Sequence, residues 1–216
     1  MDIANGRYWD KAWSLVDGCT PVSEACDHCW LEGMNSRFKK WIPGTVTPRV
    51  DRLDIPLHTR KPTVFAVWSD LFHESVPDEF IDEAHRIMLD NSRHTYLILT
   101  KRTRRMAEFY DSHNDALYFD AANINIWRGT TVENQEQADK RIPELLLVPG
   151  KKFLSIEPML MPVNLRQCLK YEKTCHPSGD DFCNGCSHSI PIKNIHAVIL
   201  GGESGHGARP IHPDWA

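Results

Sequence analysis

The 216-residue chain has no long hydrophobic run. No window approaches the roughly twenty consecutive apolar residues that a bilayer span needs, and the opening MDIANGRYWD lacks the basic-then-apolar order of a secretory leader. The expectation is a cytoplasmic protein with no membrane partner. A basic surplus is missing too: 25 Lys and Arg against 29 Asp and Glu leave a formal charge of −4, which speaks against a protein whose main task is to coat nucleic acid. There is no internal repeat and no low-complexity tract, so a single domain over residues 1–216 is the default. The cysteines number seven. An odd set cannot pair off as a disulfide framework, and thiolate–metal chemistry in a reducing compartment explains it better.

What the chain does have is a series of short apolar runs with helix signals between them. AWSLVD (12–17), TVFAVW (63–68), TYLILT (95–100), NINIWRG (123–129), KKFLSIE (151–157) and NIHAVILGG (194–202) are mostly continuous rather than alternating, the pattern of strands covered on both faces. VPDEFIDEAHRIMLDNS opens with Pro77 and acidic residues and repeats Phe80, Ile81, Ala84, Ile87 and Met88 at helical steps. TVENQEQADKRIPELLLVPG offers another helix, interrupted by Pro143 and closed by Pro149 and Gly150, and residues 26–38 a first one. Strand and helix in alternation predict an α/β fold with a parallel sheet, either doubly wound or bent toward a barrel. Residues 40–62, with four prolines, read as a long connection, and residues 164–192 as a polar, cysteine-rich insertion between strands 5 and 6.

In either arrangement the chemistry gathers at the carboxyl ends of the strands. Cys19 follows the first run; Ser69 and Asp70 the second; Lys101 and Arg102 the third; Thr130, Thr131 and Glu133 the fourth; Glu157 the fifth; Glu203 and Ser204 the sixth. Polar groups from so many separate segments at one strand end predict one shared pocket. Ser69, Thr130 and Thr131 are equally at home as caps. TKRTRR (100–105) reads either as a phosphate-holding patch or as a solvated helix start. His73, His85 and His94 read as satisfied surface or core groups, while His206 and His212 stand in the tail near the predicted pocket.

GCTPVSEACDHCW (18–30) places Cys19, Cys26 and Cys29 six and two residues apart. Three thiolates in a strand-end loop hold a tetrahedral zinc with a fourth ligand, or an iron–sulfur cluster. On a four-iron cluster, three protein ligands leave one iron open to a small molecule, as catalytic zinc keeps an open position.

GCTPVSEACDHCW, TVENQEQADKRIPELL, FLSIEPML and VILGGESGHGARPIHPDW together resemble the phage-associated three-cysteine-motif family of the radical S-adenosylmethionine (SAM) superfamily, over roughly Trp13 to Trp215. The resemblance implies a partial (β/α)6, TIM-like barrel and a [4Fe-4S] cluster on Cys19, Cys26 and Cys29, with SAM chelating the open iron. An electron from an external donor, passed through the cluster, would cleave SAM to methionine and a 5′-deoxyadenosyl radical that takes hydrogen from the substrate, a reaction that calls for an enclosed site. The family carries an aromatic after the third cysteine, here Trp30, which either packs beside the cluster or fills core. Its relatives continue through a further helix and strand, so one side of the barrel is expected to be open or supplied by a partner. Around SAM, Glu157 or Glu203 would accept from the amino group and Lys101 or Arg102 would meet the carboxylate. Gly201 and Gly202 would let the backbone come close, and Ser69, Asp70, Thr131, Glu133 and Ser204 complete the expected cofactor pocket. The phage association suggests a nucleotide or DNA substrate, for instance an isomerase-type rearrangement of a side chain on a thymine, with the base flipped out or single-stranded.

Cys168, Cys175, Cys183 and Cys186, with His176 and His188 nearby, form a second group, of which only CNGC has the tight spacing of a metal knuckle. It reads as a structural zinc site, an auxiliary cluster or free thiols. Two other functions stay open on the sequence: a zinc-stabilised nucleic-acid-binding module without catalysis, and a radical SAM scaffold that has lost activity and binds a partner.

Overall fold

The apolar runs become strands of one sheet. The computed structural model describes residues 7–113, 125–168, 195–204 and 207–215. Its strands are β1 (Lys11–Ser14), β2 (Val16–Asp17), β3 (Thr47–Pro48), β4 (Val64–Trp68), β5 (Thr95–Thr100), β6 (Ile126–Thr131), β7 (Lys151–Ile156) and β8 (Ala197–Leu200). The main sheet has six strands in the order β1-β4-β5-β6-β7-β8, every neighbouring pair parallel. The order never reverses, so there is no switch point of the doubly wound kind. β1 and β8 are its two edges, and the sheet is open rather than closed.

The helices are α1 (Trp30–Phe38), α2 (Ile55–His58), α3 (Asp78–Asp90), α4 (Thr103–Ser112), α5 (Gln135–Leu147) and α6 (Leu165–Cys168). α3, α4 and α5 are the crossovers between successive parallel strands, and one handedness for all three puts them on one face. α3 begins after Pro77, carries Asp78 and Glu79 in its first turn and buries Phe80, Ile81, Ala84, His85 and Met88, the stripe that its spacing requires. α5 begins at Asn134, whose side chain accepts from Gln137 N at 2.9 Å. It runs unbroken through Pro143, contrary to the interruption expected. Pro143 has no N–H to donate to the carbonyl of Asp139 one turn earlier, and Asp139 is exposed, so water can reach that turn.

Both faces of the sheet are covered along most of β4, β6 and β7, as expected, but they face different surroundings. Phe65, Val67, Tyr96, Ile98, Leu154 and Ile156 point into the core under the helices. Their alternates Ala66, Trp68, Leu97, Leu99, Phe153 and Ser155 line a cavity. Both sets are largely apolar, which hides the period of two in the sequence.

Two further differences concern loops. AWSLVD splits into β1 and β2, and β2 pairs antiparallel with β3, so residues 40–62 hold a clip rather than a bare connection. Asp17 fastens that clip by ion pairs to Arg49 and to Arg52, the latter at 2.8 Å. In the core, His85 Nδ1 donates to Ile81 O at 2.8 Å, leaving Nε2 to accept from Tyr110 OH at 2.5 Å, and Arg128 Nε donates to the same phenol oxygen at 3.0 Å. His94 is likewise satisfied, between Thr63 N and Pro56 O.

Candidate functional site

The loop that carries the three cysteines is tied to three different strand ends. It leaves β2 through Gly18, whose φ is +83 and where a Cβ would overlap the Thr45 carbonyl oxygen, so only glycine turns the chain there. From the end of β5, Arg102 Nη2 donates to Thr20 O (3.1 Å) and to Thr20 Oγ1 (2.7 Å). From beyond β6, Asn134 Nδ2 donates to Glu24 Oε1 at 2.6 Å, and from the tail after β8, Arg209 Nη2 donates to Glu24 O at 2.9 Å. His73 adds a contact, Nε2 to Thr20 Oγ1 at 2.8 Å; its Nδ1 accepts from Ser75 N, so Nε2 carries the proton. Burial, and then the Arg102 charge, hold the His73 pKa below its usual value, in keeping with that neutral form.

The loop and the strand ends enclose a cavity of about 380 Å3, in the size range of small-molecule sites. Of the residues expected around it, Cys19, Cys26, Cys29, Ser69, Asp70, Lys101, Arg102, Thr131, Glu157, Gly202, Glu203 and Ser204 do line it. Gly201 sits just behind: a Cβ there would overlap Glu157 Oε1, so this glycine lets the carboxylate lie against the strand end. Glu133 is elsewhere. It is fully buried and paired with Arg141 of α5 at 2.8 Å, so the carboxylate is drawn to α5 instead of into the cavity.

Several of the lining side chains are already committed. Arg102 spends all its nitrogens: Nη1 on Asp70 Oδ2 (2.7 Å), Nε on Glu74 Oε2 (2.8 Å) and Nη2 on Thr20. Glu203 is clamped by Arg209, which donates Nη2 to Oε1 (2.6 Å) and Nε to Oε2 (3.0 Å), and that partner lowers its pKa. Each alternative offered by the sequence is thereby narrowed, Lys101 against Arg102 and Glu157 against Glu203. Lys101 and Glu157 form no ion pair with a described residue. Glu157 accepts from Tyr8 OH at 3.4 Å, and its pKa is raised, chiefly by burial. The cavity therefore presents one unpaired ammonium and one desolvated carboxylate. Ser69 holds a φ of +66 at the cavity wall, a strained conformation for a residue with a side chain.

The TKRTRR stretch is not a free basic patch: Arg102 is internal, Arg104 pairs with Glu108 and Arg105 with Asp78. Trp30 does not fill core. It is 41% exposed, lines the cavity and meets Trp68 edge-on at 4.3 Å. The wall residues Tyr8, Trp9, His28 and Trp68 escaped the sequence reading, since nothing in their spacing separates them from packing residues. His212 stands outside the cavity lining, and His206 lies outside the described residues. So do Cys175, Cys183 and Cys186; Cys168 closes α6.

The three cavity cysteines are free thiols. Cys29 is the N-cap of α1 and makes no capping bond with its side chain, so its sulfur stays available at the cavity wall. Cys19 is raised in pKa, first by burial and then by Asp70, against the opposing pull of Arg102, so a metal binding there must displace a proton. Among the described residues no three His, Cys, Asp or Glu side chains are grouped so as to hold a metal ion. Ligands of one zinc converge on a point, whereas the ligands of a cluster each take a different iron. The donor chemistry, three thiols on one cavity wall, fits the second case better than the first.

No curated protein matches the chain, and no solved structure does. Residues 4–216 match the family described as "Protein of unknown function (DUF5131)", and the chain therefore belongs to that family.

Proposed function

We propose that this protein is a radical SAM enzyme, with its sheet acting as a partial (β/α)6 barrel. The observation that carries the reading is the meeting of Cys19, Cys26 and Cys29 with Lys101 and Glu157 in one cavity at the carboxyl ends of the strands. When bound, a [4Fe-4S] cluster would supply the electron that splits SAM into methionine and the 5′-deoxyadenosyl radical. Cys19, Cys26 and Cys29 would hold three of its irons. Glu157, desolvated and without a cation, would accept from the amino group of SAM, and Lys101 would meet the carboxylate. Arg102, Asn134 and Arg209 hold the cysteine loop in place, and the apolar wall of Leu97, Leu99 and Phe153 keeps water from the chamber. An external donor supplies the electron. The ion pairs of Arg102, Arg104 and Arg105 favour a nucleotide or an extruded base as substrate over a duplex held by its phosphates.

The test is anaerobic reconstitution with iron and sulfide, then mass spectrometry of the products after adding SAM and dithionite. A brown protein that forms 5′-deoxyadenosine is the expected result. A protein that takes up no iron, or takes it up and leaves SAM intact, would overturn the proposal.

A further inference from the structure

Beside the cysteine loop the cavity has a wall whose composition neither cluster nor SAM chelation explains. Trp68, on the inner face of β4, is met edge-on by Trp30 at 4.3 Å and by Trp9 at 5.1 Å, and all three line the cavity. Three indoles left partly open in one place keep a large apolar surface in water, although the core beneath has room for such rings, as Trp13 shows by being fully buried. The Trp68 indole N–H is buried and has no acceptor among the described residues. At its outer edge the Arg7 guanidinium lies over the Trp9 ring, 4.2 Å from the centroid, and forms no ion pair with a described residue.

A stacking surface of indoles bordered by a cation matches a planar heteroaromatic ring joined to a phosphate. We propose that this wall is the substrate subsite and that it takes a nucleotide, with the base against Trp30 and Trp68 and the phosphate at Arg7. Trp30 opens toward solvent, which suits a substrate that enters after the cosubstrate has been seated against the deeper Glu157 and Lys101. The inference rests on the proposed function for the use of the bound nucleotide, and on the aromatic wall alone for its binding.

Titration calorimetry of the full chain, saturated with S-adenosylhomocysteine, tests it with thymidine and thymidine 5′-monophosphate as probes. Both are expected to bind. Trp30→Leu should weaken both by roughly tenfold or more, the scale of one lost stacking contact, and Trp30→Phe should recover part of the loss. Arg7→Ala should weaken only the monophosphate. Trp30 is exposed, so these changes are read in a folded chain, which circular dichroism checks. Nucleoside binding indifferent to Trp30→Leu overturns the inference, and so does binding abolished by S-adenosylhomocysteine, which would give the wall to the adenine of the cosubstrate. The two proposals fail separately. Wild-type protein that binds nucleotide through Trp30 but never cleaves SAM overturns the proposed function alone. Wild-type protein that cleaves SAM while nucleotide binding ignores Trp30 overturns this inference alone.

Discussion

Arg102 and Asp70 form an ion pair at 2.7 Å between the ends of β5 and β4, with side chains 5% and 8% exposed, and the same guanidinium reaches Thr20 in the cysteine loop. The pair joins the rigid sheet to the segment that carries the chemistry. Arg102→Ala would strand a buried carboxylate, a change that costs about 3–5 kcal/mol. The expected outcome is a lower denaturant midpoint together with poor retention of iron after reconstitution. Wild-type iron content in the variant would show that the loop does not depend on this anchor.

Cys26 is half-buried and its thiol makes no hydrogen bond with a described residue, so Cys26→Ala should change stability by no more than about 1 kcal/mol. Iron uptake and 5′-deoxyadenosine formation should both be lost. Elemental analysis beside a melting curve separates the two effects. An iron-replete, active variant would exclude Cys26 as a ligand.

Glu157 should show stability and function moving in opposite directions. Its pKa is raised by burial, so the folded state binds its proton more tightly than the unfolded state, and the stability that this adds is lost as pH rises through the folded pKa. Glu157→Gln removes the charge that the fold tolerates poorly, and its melting temperature at pH 7 should equal or exceed that of the wild type. Affinity for SAM should fall roughly tenfold or more, as for loss of a hydrogen bond to a charged group. A variant less stable than the wild type with unchanged SAM affinity would contradict both halves.

His85 is buried and pushed down to about 3, first by desolvation and then by the Arg128 charge. The unfolded chain takes up a proton near 6.5 that the folded chain refuses, so this residue's contribution is fully present above that pH and is lost progressively as pH falls toward 3. Denaturant midpoints measured from pH 7 down to pH 4 should decline. His85→Gln should flatten the decline while costing about 1–3 kcal/mol at pH 7 through the hydrogen bonds to Ile81 and Tyr110. Identical slopes in the two proteins would remove His85 as the cause.

Much of the arrangement was legible in the chain because apolar runs and breaker residues act locally. All of the main-sheet strands lie at or within a few residues of runs such as TVFAVW and TYLILT, and residues just past those runs are the ones that face the cavity. Pro143 misled because a break signal is decided by whether water can reach the freed carbonyl, and exposure is a tertiary property. Glu133 misled because its partner Arg141 lies in the following helix, and only the packing of that helix shows which way the carboxylate is drawn.

The sequence by itself determined the alternation of strand and helix, the parallel sheet and the placement of three thiols next to a strand end, since these follow from short-range pattern and chain order. Only the tertiary structure decided which charges are spent and which are free. Arg102 and Lys101 are neighbours in the chain, and Glu157 and Glu203 are alike in kind, yet Arg102 is consumed by Asp70 from another strand end and Glu203 by Arg209 from the tail folded back over it. Pairing of that sort depends on which strand ends meet across the sheet and how deeply each charge is desolvated, and neither quantity is carried by any stretch of sequence on its own.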